Sequence, residues 1–202
     1  MNTLYLASES SSRKLLLEKA KIPFTVISHN ADEDSIPVTT VHETVSKIAQ
    51  LKMKHVIIPD GKEGDVAYIL TADSMVADSE GAIHGKPKDK DDVIRKIKTL
   101  RGDSVTATGF CLQKRTWKDN TWSIDKEICK TVAATCTFSI PDSWVDRYLD
   151  NSHAYNTAGA ITIESYGLQF LEKIDGSFST VTGLPLFEVR EALEEVGFFN
   201  EV

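Results

Sequence analysis

The sequence predicts an α/β fold built on a mixed sheet. Short β-prone runs alternate with amphipathic helical stretches through the first half of the chain. Two long alternating segments follow, 104–115 and 126–140, joined by the polar turn WKDNTW, and these read as an antiparallel pair. With 202 residues, 41% of them hydrophobic, the chain can bury a sizeable core. Neither a repeat nor a linker divides it, so residues 1–202 are expected to form a single domain.

Residues 3–7 (TLYLA) are short, apolar and β-prone, the expected first strand. The serines of ESSS precede RKLLLEKA. Serine before an apolar-periodic run is a helix N-cap signal, and the free N–H groups there favour an anion. Arg13, Leu16, Leu17 and Ala20 share one helical face by spacing, which turns Arg13 inward from the first turn. Residues 23–28 (PFTVIS) read as a second strand. The acidic turn after it carries Asp32, Glu33 and Asp34, which form either a solvated loop or the source of one carboxylate for a hard cation. Thr40-Val41-His42-Glu43 matches the capping-box pattern and starts a helix to about Val56. Lys52 falls on its apolar stripe of Val41, Val45, Ile48, Ala49, Met53 and Val56, whereas Lys47 and Lys54 lie off it. A lysine there must snorkel out or meet an anion, because an unpaired buried charge is costly.

Residues 67–72 are largely apolar, like a central strand, and are expected to end at Asp73. The segment 75–86 reads as a hairpin turning at Asp78-Ser79-Glu80-Gly81, and Gly85-Lys86-Pro87 then makes a stiff corner. A carboxylate at a strand tip beside an anchored lysine suits metal and phosphate chemistry, since ligands of open α/β sheets sit beyond the carboxyl ends of strands. The plainer alternatives are that Asp73 caps the following turn and that Lys86 is a surface lysine. Asp89 and Asp92 open an amphipathic helix with Val93, Ile94, Ile97 and Leu100 on one side. Pro141-Asp142 opens another with Trp144, Val145, Tyr148 and Leu149, closed by Asn151. After a flexible stretch, residues 168–174 are expected as a strand, with a turn at Asp175-Gly176. Gly183-Leu184-Pro185 begins a final helix to about Val196.

A formal charge of -7 disfavours a general nucleic-acid binder, whose footprint would be basic. An anionic small ligand would need local cations or a metal to outvote that global field. Three cysteines without CxxC spacing argue against a disulfide framework and a zinc knuckle, and fit a reducing cytoplasm. No apolar run reaches a bilayer span, and the N-terminus lacks the pattern of a secretory signal.

Four separated stretches resemble one family, the Maf family of nucleoside triphosphate pyrophosphatases, related in fold to the inosine triphosphate pyrophosphatases. LASESSSR resembles its L-A-S-x-S-P-R-R, and SKIAQLKMKHV its lysine-bearing helix. TADSMV with GKPKD resembles A-D-T followed by G-K-P. NTAGAITIESYG with GSFSTVTGLPL resembles D-K-A-G, I-Q-G-x-G and the closing N-V-x-G-L-P. The resemblance implies an elongated, strongly twisted mixed sheet flanked by helices, with two lobes about a central cleft. It implies Asp73 as the catalytic acid that accepts a proton from attacking water, and Glu33 with Asp73 as metal-associated carboxylates. Ser8, Arg13, Lys52 and Lys86 would cradle the triphosphate, while Ser12, Ser74 and Glu164 would distinguish substrates. A divalent cation (Mg2+, Mn2+ or Co2+), a nucleoside triphosphate substrate and a homodimeric state are implied likewise.

Departures from the family pattern leave the base open. Ser12 stands where one of two paired arginines is usual, Thr157 where lysine is, Glu164 where glutamine is and Ser165 where glycine is. Exchanging glutamine for glutamate removes an amide donor and leaves an acceptor. Ser74 resembles the threonine of the dTTP/UTP-type subgroup, against the glutamine of the 7-methyl-GTP type. A nucleotide-binding regulator that has lost catalysis, or an enzyme acting on another anhydride, are the competing expectations.

Overall fold

The computed structural model describes residues 4–200. Among them, seven strands make one sheet: β1 (Leu4–Leu6), β2 (Phe24–Val26), β3 (Val66–Ala77), β4 (Ile83–His84), β5 (Gly102–Lys118), β6 (Thr121–Phe138) and β7 (Leu171–Asp175). Their order is β2-β1-β3-β5-β6-β7, with β4 also on β3. β1 runs parallel to β2 and β3, and the other pairings are antiparallel, so the sheet is mixed. Helices α1 (Ser11–Lys19), α2 (Val41–Lys54), α3 (Lys90–Thr99), α4 (Val145–Asn151), α5 (Phe178–Thr182) and α6 (Leu186–Glu195) flank it. Thr3, the expected start of the first strand, lies outside the described residues.

Local signals explain most of these boundaries. The Thr40 hydroxyl accepts from Glu43 N at 3.3 Å, and the Glu43 carboxylate takes the Thr39 hydroxyl at 2.9 Å, so α2 starts where its cap lies. Asp89 caps α3 in the same way, accepting from Asp92 N at 2.8 Å. Asp119 and Asn120 both have positive φ at the β5–β6 turn, a backbone these two residue types tolerate.

Alternation along β3 sorts its side chains between two faces. Tyr68, Leu70 and Ala72 pack with Leu4, Leu6, Leu16 and Leu17 and with Val189, Ala192 and Leu193 of α6. Ala67 and Ile69 face the other way, against Met53 of α2 and Cys111. A separate cluster joins Val93 and Ile97 of α3 to Phe138, Tyr148 and Phe170.

The edges of β3 are covered unequally. β5 pairs with its whole length, from Val66 to Ala77. On the opposite edge β1 covers only Tyr68 to Leu70, and β4 only Val76 and Ala77. Residues 71–75 therefore face a gap in which no strand among the described residues pairs with them.

Four expectations need correction. Asp73 does not end its strand, because the unbroken ladder to β5 carries β3 on to Ala77. Residues 168–170 belong to a 3-10 segment, Ser165–Phe170, and β7 begins only at Leu171. Ala20 is exposed rather than on the buried face of α1. Most consequentially, Cys111 and Cys129 form a disulfide, leaving buried Cys136 free. The two are register partners on β5 and β6, a pairing set by strand alignment and not by spacing or an even count. That bond withdraws the support the cysteines lent to a reducing compartment. Among the described residues, no helix is long and apolar enough to cross a membrane.

Candidate active site

The gap beside β3 opens into a cleft of about 810 Å³, and all nine residues expected to act lie on its walls: Ser8, Ser12, Arg13, Glu33, Lys52, Asp73, Ser74, Lys86 and Glu164. Alternation sends Asp73 toward α2 and Ser74 toward the α1 side. At the floor, Lys52 Nζ lies 2.9 Å from Asp73 Oδ1 and 2.9 Å from Glu33 Oε2. Lys52 is buried, which answers the question its place on the apolar stripe raised: it meets anions. Glu33 reaches in from a short 3-10 turn, Glu33–Ser35, with its side chain 42% exposed.

On the other side of β3, the Arg13 guanidinium is buried and ties three segments together. It donates through Nε to Gly183 O at 2.8 Å, through Nη1 to Ser8 Oγ at 3.0 Å and through Nη2 to Ser74 Oγ at 3.0 Å. Ser74 Oγ also lies 2.8 Å from Thr108 Oγ1, which donates to Thr180 O at 2.9 Å. Burial lowers the Arg13 pKa, and the charges of Asp73 and Glu33 oppose that shift. A guanidinium nonetheless stays charged, and it has five N–H donors, so three bonds do not exhaust it.

The walls come from further along the chain. Lys86 is exposed at the corner after β4. Ser12 donates to Glu164 Oε1 at 2.5 Å, bridging α1 to the segment 160–164. Buried Tyr148 holds that segment, accepting from Thr162 N at 2.8 Å and donating to Ala160 O at 2.9 Å. Two further residues lie beyond those the sequence singled out. His29 lines the cleft near Lys52, and burial, then the Lys52 charge, lowers its pKa. Lys96, behind the wall, sits at i+3 from Val93 on a buried face, the same signal that marks Lys52.

The carboxylates suit a divalent cation. Asp73 Oδ2 is buried and has no hydrogen-bond partner in the protein, an orphan acceptor that is costly unless a ligand fills it. Among the described residues no group of three or more His, Cys, Asp or Glu is placed to hold an ion alone. A magnesium-like ion needs no such cage, because one or two carboxylates plus phosphate oxygens and waters complete its shell. Asp73 and Glu33 are the donors such an ion would take.

Known proteins resemble the chain over nearly its whole length. A HAM1 protein from Coxiella burnetii aligns over 96% of this chain and 100% of its own, at 12% identity and a TM-score of 0.47. A dTTP/UTP pyrophosphatase from Hydrogenovibrio crunogenus is 31% identical over 199 residues, covering 98% of both chains. A nucleoside triphosphate pyrophosphatase from Prochlorococcus marinus is 32% identical over 203 residues, covering 96% of this chain and 97% of its own. The family model described as Maf-like protein matches residues 3–196, nearly the whole chain, and the chain belongs to that family.

Proposed function

We propose that the protein is a nucleoside triphosphate pyrophosphatase, hydrolysing the α–β phosphoanhydride to a nucleoside monophosphate and pyrophosphate, with dTTP/UTP-type substrates preferred. The observation that carries this reading is Asp73: a buried carboxylate with one oxygen on Lys52 and the other unpartnered, on the floor of a cleft with cations on its walls. Substrate names of relatives at about one-third identity support the nucleotide class.

Asp73 accepts the proton of the attacking water as the anhydride breaks and pyrophosphate leaves. Lys52 holds Asp73 and Glu33 at a common point and offsets their mutual repulsion. Arg13, Ser8 and Lys86 receive the phosphate chain, and the fixed guanidinium avoids reorganisation as charge develops. A divalent cation at Asp73 and Glu33 would neutralise charge on the phosphate oxygens. Asp73→Asn should abolish pyrophosphate release while circular dichroism stays that of the parent. Retained turnover in that variant rejects the mechanism, and a parent that binds triphosphates without turning them over favours the regulator instead.

One contact favours a different base. Glu164 already accepts from Ser12 and can accept again, so it suits an edge rich in N–H donors, such as guanine N1–H with N2–H₂. Comparing Glu164→Gln with the parent over a nucleotide panel tests this, and an unchanged preference order sinks it. The homodimeric state remains part of the proposal on family resemblance alone, and a light-scattering mass checks it; the cytoplasmic setting is likewise only proposed.

A further inference from the structure

α3 carries a lysine where its apolar stripe would otherwise continue. Val93, Lys96, Ile97 and Leu100 follow at helical spacing along the buried side, and Lys96 is 6% exposed. A buried ammonium is costly unless its donors are satisfied. Here each of the three has a partner. Nζ donates to Gly85 O at 2.8 Å and to Lys86 O at 3.0 Å, and it lies 3.2 Å from Asp92 Oδ2. The same Asp92 oxygen accepts from Lys88 N at 3.0 Å. The Gly85-Lys86-Pro87-Lys88 corner is thus tied to α3 from both ends, and Gly159 N adds a bond to Gly85 O at 3.1 Å.

Lys96 is not on the cleft wall, whereas Lys86 is. Pro87 fixes its own φ but supplies no N–H, so it gives the corner no backbone donor. The Gly85 and Lys86 carbonyls both point at one ammonium. We propose that Lys96 is a positioning residue for Lys86: by gathering the Gly85 and Lys86 carbonyls it holds the corner that presents the Lys86 ammonium to the phosphate chain. The proposal rests on the phosphate-binding role of Lys86 given above.

Lys96→Met keeps an apolar stem on the buried side of α3 and removes the ammonium. The cap of α3 is untouched, because Asp89 still accepts from Asp92 N. Steady-state pyrophosphate release is measured for Lys96→Met, Lys86→Ala and the double variant, on the triphosphate the parent turns over best. Lys96→Met should lower kcat/KM by about tenfold, chiefly through KM, and should add no further loss once Lys86 is gone. Losses that multiply in the double variant would overturn the proposal, as would parental kinetics in Lys96→Met. Hydrogen exchange over residues 85–90 supplies the second readout. It should speed up in Lys96→Met while β3 and β5 keep parental protection. Unchanged exchange at the corner overturns the proposal whatever the kinetics. If the parent hydrolyses no triphosphate, the functional reading fails by itself, and the exchange result alone decides whether Lys96 orders the corner.

Discussion

Gly109 of β5 stands directly opposite Asp73 of β3, and a Cβ in its place would lie 2.7 Å from Val45 O of α2. Directly opposed residues in a ladder share a face, so the missing side chain is what lets α2 settle against the sheet. That close approach brings Lys52, two turns further along α2, within 2.9 Å of Asp73. Gly109→Ala should therefore act at a distance. The obstacle is backbone, also 2.8 Å from Val45 C and 2.9 Å from Ser46 N, so the helix itself must shift. A loss of about 1–3 kcal/mol in urea unfolding is expected for such overpacking. A fall of about a hundredfold in kcat should accompany it, from misplaced catalytic groups. Parental stability and turnover would show that α2 has slack.

Ser165 has φ of 54°, in the left-handed region, directly after Glu164. A side chain there costs about 1–2 kcal/mol, which glycine avoids while losing some of the gain to its freer unfolded state. Ser165→Gly should raise Tm by about 3 °C. A lower Tm would mean that the serine side chain contributes more than its backbone strain costs.

The Cys111–Cys129 bond closes a loop with a sequence separation of 18. Reduction should lower stability by about 3 kcal/mol, chiefly by freeing the unfolded chain. Thermal melts with and without dithiothreitol check this, and superimposable melts would show that the bond adds nothing.

The turn that leads to Lys86 carries an acid-sensitive clamp. Asp78 Oδ2 lies 2.7 Å from His84 Nε2, and its Oδ1 accepts from Glu80 N at 3.0 Å and Ala82 N at 2.9 Å. The His84 hydrogen bond is the main cause that holds the Asp78 pKa below its ordinary value. A depressed carboxylate stabilises fully above its unfolded value of about 3.9 and loses that contribution as pH falls through the lower folded value. Acid should thus cost the parent more stability than Asp78→Asn over that window. Equal acid sensitivity in melts of the two proteins would remove Asp78 from the account.

Much of the site was readable because it is written in local patterns. A stripe at helical spacing exposed Lys52 as a charge among buried neighbours, and serines before RKLLLEKA marked a helix whose first turn turns Arg13 inward. Family resemblance assembled the list, and the cleft collects every residue on it. The polar pair after an apolar run makes Asp73 look like a strand terminus. It is the middle of a strand whose outer edge is left uncovered by two short neighbours.

By itself the sequence determined the element types, the helix caps, the hairpins and the charged residues placed on apolar faces, since each depends on neighbours a few positions away. Only the tertiary structure decided that Lys52 bridges two carboxylates, that Arg13 is braced by Gly183 and Ser74, that Cys111 meets Cys129, and that Lys96 holds the Lys86 corner. Those contacts depend on strand register and on which edges stay open. Both are set by pairing between distant segments, and no local spacing encodes them.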